Sequence, residues 1–541
     1  MVQLNAFDAV TMVGRHKQWR AGEPCAADEL LADMDHYGIA EAMVMDCLTR
    51  EFHPQAGNPR SVAIARQSER LHPAWSALPN GAKEEQVDGE TLVAQMREQK
   101  VGALYLFPNQ HQFNLADWCV DWLLEPLAAA GVPVVINPVE HGPRVAHGQD
   151  GTDWKGVVDL CQRWPTLPVV VSERRIRRSQ RLLYRALDAC ENLHLELSAY
   201  WLHHGIEYLA RGGGAHRLVF GSGWPMVGPH MTLATLACAE IDDKAKRAIA
   251  GDNWRRLIRW CEPVHPVVEP AEPADAYVAF GRTGERPAGM TFQDCHGHLS
   301  LHCNHYHIPD HELDEIVREM DRLGVEKVCV FGLSGVFSDE QPDNDYVAEA
   351  VRRYPERFVG FTLVNPFRGP EEMRRELERG AAMGMRGVKL IPSYQGYPEE
   401  GPNIDVACQW AHERGELILN HEWGSPEQMR RLVTTYPNAC FLTGHTTTKY
   451  AEVMREHENL YVCSCPLLGP RACEQVVEAI GAERFMFGSD LTDLPIAWGL
   501  GPILLARISA EEKRLILGGN LARLLEKYSV SSADAVQSGE A

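Results

Sequence analysis

The chain has 541 residues, long for one domain and right for two (β/α)8 barrels of roughly 250 residues each. Hydrophobic residues make up 45% and charged residues 23%, a balance that leaves ample core and excludes a disordered chain. Acidic residues outnumber basic ones, 74 to 53, and the net charge of −21 disfavours nucleic acid and anionic membrane surfaces as partners.

In chain order, the first long amphipathic pattern is DELLADMDHYGIAEAMVMD (Asp28–Asp46). Leu30, Leu31, Met34 and Tyr37 fall at helical spacing, Gly38 suits a helix C-terminus, and a strand-like run follows. Further on come GALYLFP (102–108), WPTLPVVVSE (164–173), ENLHLELS (191–198), RLVFGSG (217–223) and GDNWRRLIRW (251–260). Residues 261–290 are dense in Pro, Gly and Ala and predict a linker or wrapping segment between domains. Beyond it the same units recur in the same order. They are DEIVREMDRLGVEKVCVFG (314–332), RGVKLIP (386–392), YPNACFLTGH (436–445), ENLYVCSC (458–465), RFMFGSD (484–490) and GGNLARLLEKY (518–528).

Short β-branched runs alternating with helical patterns are the rhythm of a parallel sheet, and about eight of them in ~240 residues predict a closed barrel. The expected fold is α/β: two tandem (β/α)8 barrels over residues 1–260 and 291–530, with a disordered tail at 531–541. No run approaches the roughly 20 apolar residues of a membrane span, and no secretory signal pattern precedes Arg15. The 15 cysteines sit mostly in apolar segments, which predicts buried free thiols and a cytoplasmic protein.

Barrel chemistry sits at the C-terminal ends of strands. In the second copy FQDCHGHLS carries His296 and His298, whose side chains, two apart in extended backbone, point to one side. LILNHEWG supplies His421, FLTGH supplies His445 and FMFGSD supplies Asp490. Imidazoles and a carboxylate are ligand types for zinc or a similar divalent ion. In DCHGH, LILNH, FLTGH and FGSD, and over nearly the whole second copy, the sequence resembles the amidohydrolase-related family that includes aminocarboxymuconate-semialdehyde decarboxylase. The resemblance implies one divalent metal, zinc by preference, held by His296, His298, His421 and Asp490, with His445 beside it in proton transfer; in a hydrolase Asp490 would also accept the proton of the attacking water.

The first copy lacks this set. With Asp8 matched to Asp294, Val10 stands opposite His296 and Met12 opposite His298. Asn137 or Pro138 stands opposite His421, Glu173 opposite His445 and Gly223 opposite Asp490. These side chains do not make a site for a hard divalent ion, so the first barrel is expected to be a degenerate copy that has lost the family's chemistry. Barrels of this family commonly dimerise, and decarboxylase relatives receive an arginine from the neighbouring subunit. The two halves are therefore expected to form an intramolecular pseudo-dimer, with Arg174, Arg175, Arg177 or Arg178 as candidates to bind a substrate carboxylate.

Lesser candidates for substrate contact are Lys389, Tyr394 and Glu422, with SGVFSD (334–339) and SYQGY (393–397) as loops on the active face. Lys389 occupies the place of a carboxylated lysine in binuclear relatives, but a barrel-lining lysine paired with a carboxylate is expected here. His302, Cys303, His305 and His307 have the look of a second zinc site, yet their loop position favours substrate contact or solvation. Cys463 and Cys465 are expected to be buried in a strand. The expected function is metal-dependent hydrolysis of a small carbonyl substrate such as an amide or lactone. Alternatives are non-oxidative decarboxylation of an unsaturated or aromatic acid, and non-catalytic binding. The lack of a strand-end arginine in the second copy favours hydrolysis.

Overall fold

A computed structural model describes the chain apart from residues 1–3, 83–86, 137–151, 173–175, 263, 265–270, 301, 304–305 and 538–541. In the first half eight parallel strands pair in chain order: β1 (Ala6–Val13), β2 (Ile39–Asp46), β3 (Leu71–Ser76), β4 (Ala103–Leu106), β5 (Val134–Ile136), β6 (Val169–Val171), β7 (Leu193–Glu196) and β8 (Leu218–Val219). The ring closes where the Ala9 amide donates to the Phe220 carbonyl (3.0 Å) and the Met12 amide to that of Trp224 (2.8 Å).

The second half repeats this with β9 (Phe292–Leu299), β10 (Val325–Gly332), a third strand interrupted at Phe361 into β11 (Phe358–Gly360) and β12 (Thr362–Leu363), then β13 (Val388–Leu390), β14 (Leu417–Asn420), β15 (Cys440–Thr443), β16 (Leu460–Cys463) and β17 (Phe485–Met486). Here the Cys295 amide donates to Phe487 (2.9 Å) and the Asp490 amide to His296 (2.9 Å), joining the last strand to the first.

The duplication extends to single hydrogen bonds. Asp8 Oδ1 accepts from the amides of Val10 (3.1 Å) and Ser222 (2.9 Å). Asp294 Oδ1 accepts from those of His296 (2.9 Å) and Ser489 (3.1 Å). Burial pushes both carboxyls up to about 7. Asn253 Nδ2 donates to Ala215 and Leu218, and Asn520 Nδ2 to Ala482 and Phe485, so each amide ties the closing helix to the last strand.

The segment at 261–290 is more than a linker. Asp275 caps a helix, Ala276–Thr283, by accepting from the Val278 amide, and Val278 and Phe280 are fully buried. Phe280 stacks on Phe292 of β9 (6.2 Å, 5°). Asp275 also pairs with the buried Lys513 ammonium (2.8 Å). An eight-residue helix carries too few turns for its apolar stripe to stand out among Pro and Gly. Asp275→Ala is expected to cost about 2 kcal/mol, from the lost cap and from a buried cation left with the Leu504 carbonyl. Asp275→Asn, which keeps the cap, isolates the ionic share; equal denaturant midpoints for wild type and Asp275→Ala would refute the assignment.

The final helix runs from Asn520 to Gln537, into the stretch expected as a tail; only 538–541 of that stretch lie outside the described residues. No disulfide joins any of the fifteen cysteines, most of which are buried. No helix among the described residues is long and apolar enough to cross a membrane.

The halves meet through two corresponding helices, Pro229–Cys238 after β8 and Ile496–Leu504 after β17. Beside them the Gly228 amide donates to Leu468 (2.7 Å), and buried Asp33 pairs with Arg471 (2.5 Å) and Arg507 (2.8 Å).

Candidate metal centre

The end of β9 and the turn after β17 bring three donors together. Asp490 Oδ1 lies 3.2 Å from His296 Nε2 and 3.0 Å from His298 Nε2, and all three side chains are buried or nearly so. Two donors each about 2.05 Å from one ion and about 90–110° apart lie about 2.9–3.4 Å from each other, so the spacing fits a shared divalent cation. His296 Nε2 and His298 Nδ1 have no hydrogen-bond partner among the described residues. His296 Nδ1 lies 3.1 Å from the Gly444 carbonyl. That contact fixes the tautomer that leaves Nε2 free to ligate.

The electrostatics agree. Burial, reinforced by Lys389, holds the imidazoles of His296 and His421 well below the ordinary histidine range, and burial lowers His445 as well. Neutral imidazole is the ligating form. Burial alone would raise Asp490, but His296 and His298 beside it hold the carboxyl well below the usual carboxylate range, and so ionised.

Asp490 adopts a left-handed backbone, φ 66°, where the first copy has Gly223 at 78°. Glycine enters that region freely, whereas a side chain there costs roughly 1 kcal/mol. The second copy carries this strain at the residue that completes the trio, as functional sites commonly do.

Of the other expected residues, His421 stands beside the trio, its ring 5.7 Å from that of His296 and 4.1 Å from that of His445. Its Nδ1 faces Lys389 Nζ at 3.3 Å. Lys389 is fully buried, and burial pushes it down to about 7. Its near neighbours include that imidazole and the Phe331 ring face (4.0 Å), and Asp490 is the carboxylate whose charge acts on it. Cys463 ends β16 with its sulfur 3.7 Å from His296 Nδ1, and Cys465 lines the cavity described next.

A cavity of about 290 Å³ opens above the trio, lined by His298, His421, His445, Asp490 and a set of aromatic side chains. Tyr394 lines it, with its ring 5.1 Å from His421. Glu422 does not; it is half-exposed and pairs with Lys449 (3.2 Å). Arg174, Arg175 and His305 lie outside the described residues, as do the side chains of Arg177 and Arg178. His302, Cys303 and His307 form no ligand group among the described residues. Phe337, in the SGVFSD loop expected on the active face, lines it too; nothing in the sequence marked Tyr306, Trp498 or, from the first half, Trp201, whose ring lies 5.3 Å from that of Trp498. Larger clefts, such as one of about 990 Å³ near Lys100 and Cys261, lie away from the histidines.

In the first barrel Val10 and Met12 occupy the β1 positions equivalent to His296 and His298. They pack with Met45, Tyr105 and Phe107 in a fully buried apolar cluster.

The amidohydrolase family model matches residues 25–260 and again 294–527. The chain belongs to the amidohydrolase family. Two tandem amidohydrolase domains thus account for both barrels. No curated protein matches the chain. Solved structures similar to one half of this chain include 5-carboxyvanillate decarboxylase from Sphingomonas paucimobilis, at 17% identity and TM-score 0.35, over 44% of this chain and 99% of that one. Dihydroxybenzoic acid decarboxylase from a Polaromonas species, with bound manganese, matches at 16% and 0.34, over 44% and 97%. 2,6-Dihydroxybenzoate decarboxylase from Rhizobium matches at 13% and 0.34, over 44% and 99%.

Proposed function

We propose that the second barrel is a metal-dependent enzyme that hydrolyses a small carbonyl compound, an amide or lactone. The observation that carries this reading is the convergence of His296 Nε2, His298 Nε2 and Asp490 Oδ1 beneath a cavity of substrate size. His296, His298 and Asp490, with His421 alongside, would hold a divalent ion such as zinc, which would supply Lewis acidity to the carbonyl and lower the pKa of water. Asp490, ionised and facing the cavity, accepts the proton of the attacking water. His445, neutral through burial, hydrogen-bonds the developing oxyanion across the cavity, and the proton that Asp490 takes from the water passes to the leaving group. Among the described lining residues there is no arginine or lysine to clamp a free carboxylate, which favours a neutral carbonyl substrate.

A second reading, non-oxidative decarboxylation, is favoured by the aromatic walls. Trp201, Tyr306, Phe337 and Trp498 suit a flat, unsaturated acid. In that reaction His445, after taking a proton from solvent, delivers it to the carbon that loses carbon dioxide. The first barrel, with Val10, Met12 and Gly223 where the second has ligands, acts in this proposal as an inactive support in an intramolecular pseudo-dimer and lends Trp201 to the cavity.

Turnover of a panel of lactones, amides and unsaturated acids in H2(18)O and in D2O separates the readings. Hydrolysis places one solvent oxygen in the product. Decarboxylation releases carbon dioxide and places deuterium on carbon. Solvent oxygen in the product is the expected result; deuterium on carbon without it would replace the first reading by the second.

A further inference from the structure

The first barrel grips the second at two points on residues 306–310, the stretch that leads from β9 towards the helix Leu313–Leu323. Gln180 stands fully buried on the helix Ile176–Ala189 of the first half. Its Oε1 accepts from the His307 amide (2.7 Å) and its Nε2 donates to the His307 carbonyl (2.8 Å). Both bonds go to backbone, so they fix the path of the chain and not merely one side chain. Three residues on, Asp310 accepts from His204 Nδ1 (2.7 Å) and from Arg211 (2.7 and 3.2 Å), both again of the first half.

His204 is the centre of the second grip. Its other nitrogen, Nε2, lies 2.6 Å from Glu319 Oε2 on the helix Leu313–Leu323. Burial alone would lower this imidazole, but Glu319, with Glu207 and Asp310, raises it to about 9. It is therefore protonated at neutral pH and joins two carboxylates of the second half. His203 stacks flat on it (4.3 Å, 9°). His204 and Asp310 are both held in left-handed backbone, φ 47° and 50°, a cost that rigid functional positions tolerate. What the two grips hold is cavity wall. Tyr306, the residue before His307, and Trp201, three before His204, both line the cavity above the trio. Trp201 Nε1 donates to the Ser198 carbonyl (2.7 Å), and the Ser198 amide and hydroxyl donate to buried Glu196 at the end of β7 (2.6 and 2.8 Å). His296, His298 and Asp490 take their places from β9 and the turn after β17, so the grips bear on the wall and not on the metal donors.

We propose that Gln180 and His204 of the first barrel are positioning residues for the second, holding residues 306–310 so that Tyr306 and Trp201 wall one substrate cavity. The inactive barrel thereby governs substrate fit and leaves the chemistry to the β9 centre. This inference rests on the reading of that cavity as the substrate site.

The test uses the full-length chain and two independent readouts. Hydrogen–deuterium exchange by mass spectrometry follows residues 306–311. Michaelis parameters follow whichever lactone, amide or unsaturated acid of the panel the wild type turns over. In Gln180→Ala the amides of 306–311 are expected to exchange at least about 10-fold faster, with those of 292–299 unchanged. KM is expected to rise about 10-fold while kcat stays within about threefold. Gln180→Glu keeps the acceptor for the His307 amide and loses the donor to its carbonyl, so it should fall between. His204→Gln removes the charge shared by Asp310 and Glu319 and should act in the same direction; if it fails to fold, the Gln180 pair still decides. Wild-type exchange at 306–311 in folded Gln180→Ala would overturn the proposal. Faster exchange there with KM unchanged, or with kcat falling in place of KM, would overturn it equally. A panel on which the wild type shows no turnover would count against the proposed function, and exchange at 306–311 would then decide the grips by itself.

Discussion

His296→Ala is expected to lower kcat/KM by at least about 10³-fold, roughly 4 kcal/mol of transition-state stabilisation. The position is fully buried, its Nε2 lies 3.2 Å from Asp490 Oδ1, and no other described side chain approaches from β9 to replace it. Alanine leaves a hole beside Phe331, which contacts the His296 ring at 5.3 Å, and so carries some cost in stability as well. Asp490→Asn separates the two effects. Asparagine tolerates the left-handed backbone at 490 and preserves volume, so the fold should hold while the proton acceptor is lost. A loss of similar size in Asp490→Asn, with a wild-type melting curve, supports chemistry at this residue. Activity within about threefold of wild type in both variants would remove the proposed centre from the reaction.

Much of this was legible because the chain contains its own control. The matched segments share framework hydrogen bonds at Asp8 and Asp294 and at Asn253 and Asn520. Such residues satisfy buried backbone groups whether or not a site is present, so the two copies share them. Residues that serve only chemistry differ, which is why His296, His298 and Asp490 stood out against Val10, Met12 and Gly223. The unread features share another property: they join residues distant in sequence with no periodic signal. Trp201 meets Trp498, and His204 meets Glu319, only because the barrels pack in one orientation. Glu319 also sits on the buried face of its helix among Ile316, Met320 and Leu323. A carboxylate there conflicts with the apolar stripe, and that conflict is the one local hint the sequence offered.

That orientation depends on one close approach. A Cβ placed on Gly501 would lie 2.3 Å from the His230 carbonyl oxygen and 2.8 Å from the Ala234 Cβ, so the helices Ile496–Leu504 and Pro229–Cys238 touch backbone to backbone. Gly501→Ala must therefore push them apart, at about 3 kcal/mol, the upper part of the usual range for overpacking because backbone cannot rotate away. The helix that moves carries Trp498, and the neighbouring half carries Trp201, so the cavity wall opens with the seam. KM is expected to rise severalfold while kcat, set by residues on β9 and after β17, changes less. Adding Ala234→Gly removes the softer of the two clashes and should recover only a minor share, since the His230 carbonyl remains. Full recovery in the double variant would locate the contact in side chains and not in the backbone. Unchanged denaturant midpoint and KM in Gly501→Ala would mean that the halves do not meet at this glycine in solution.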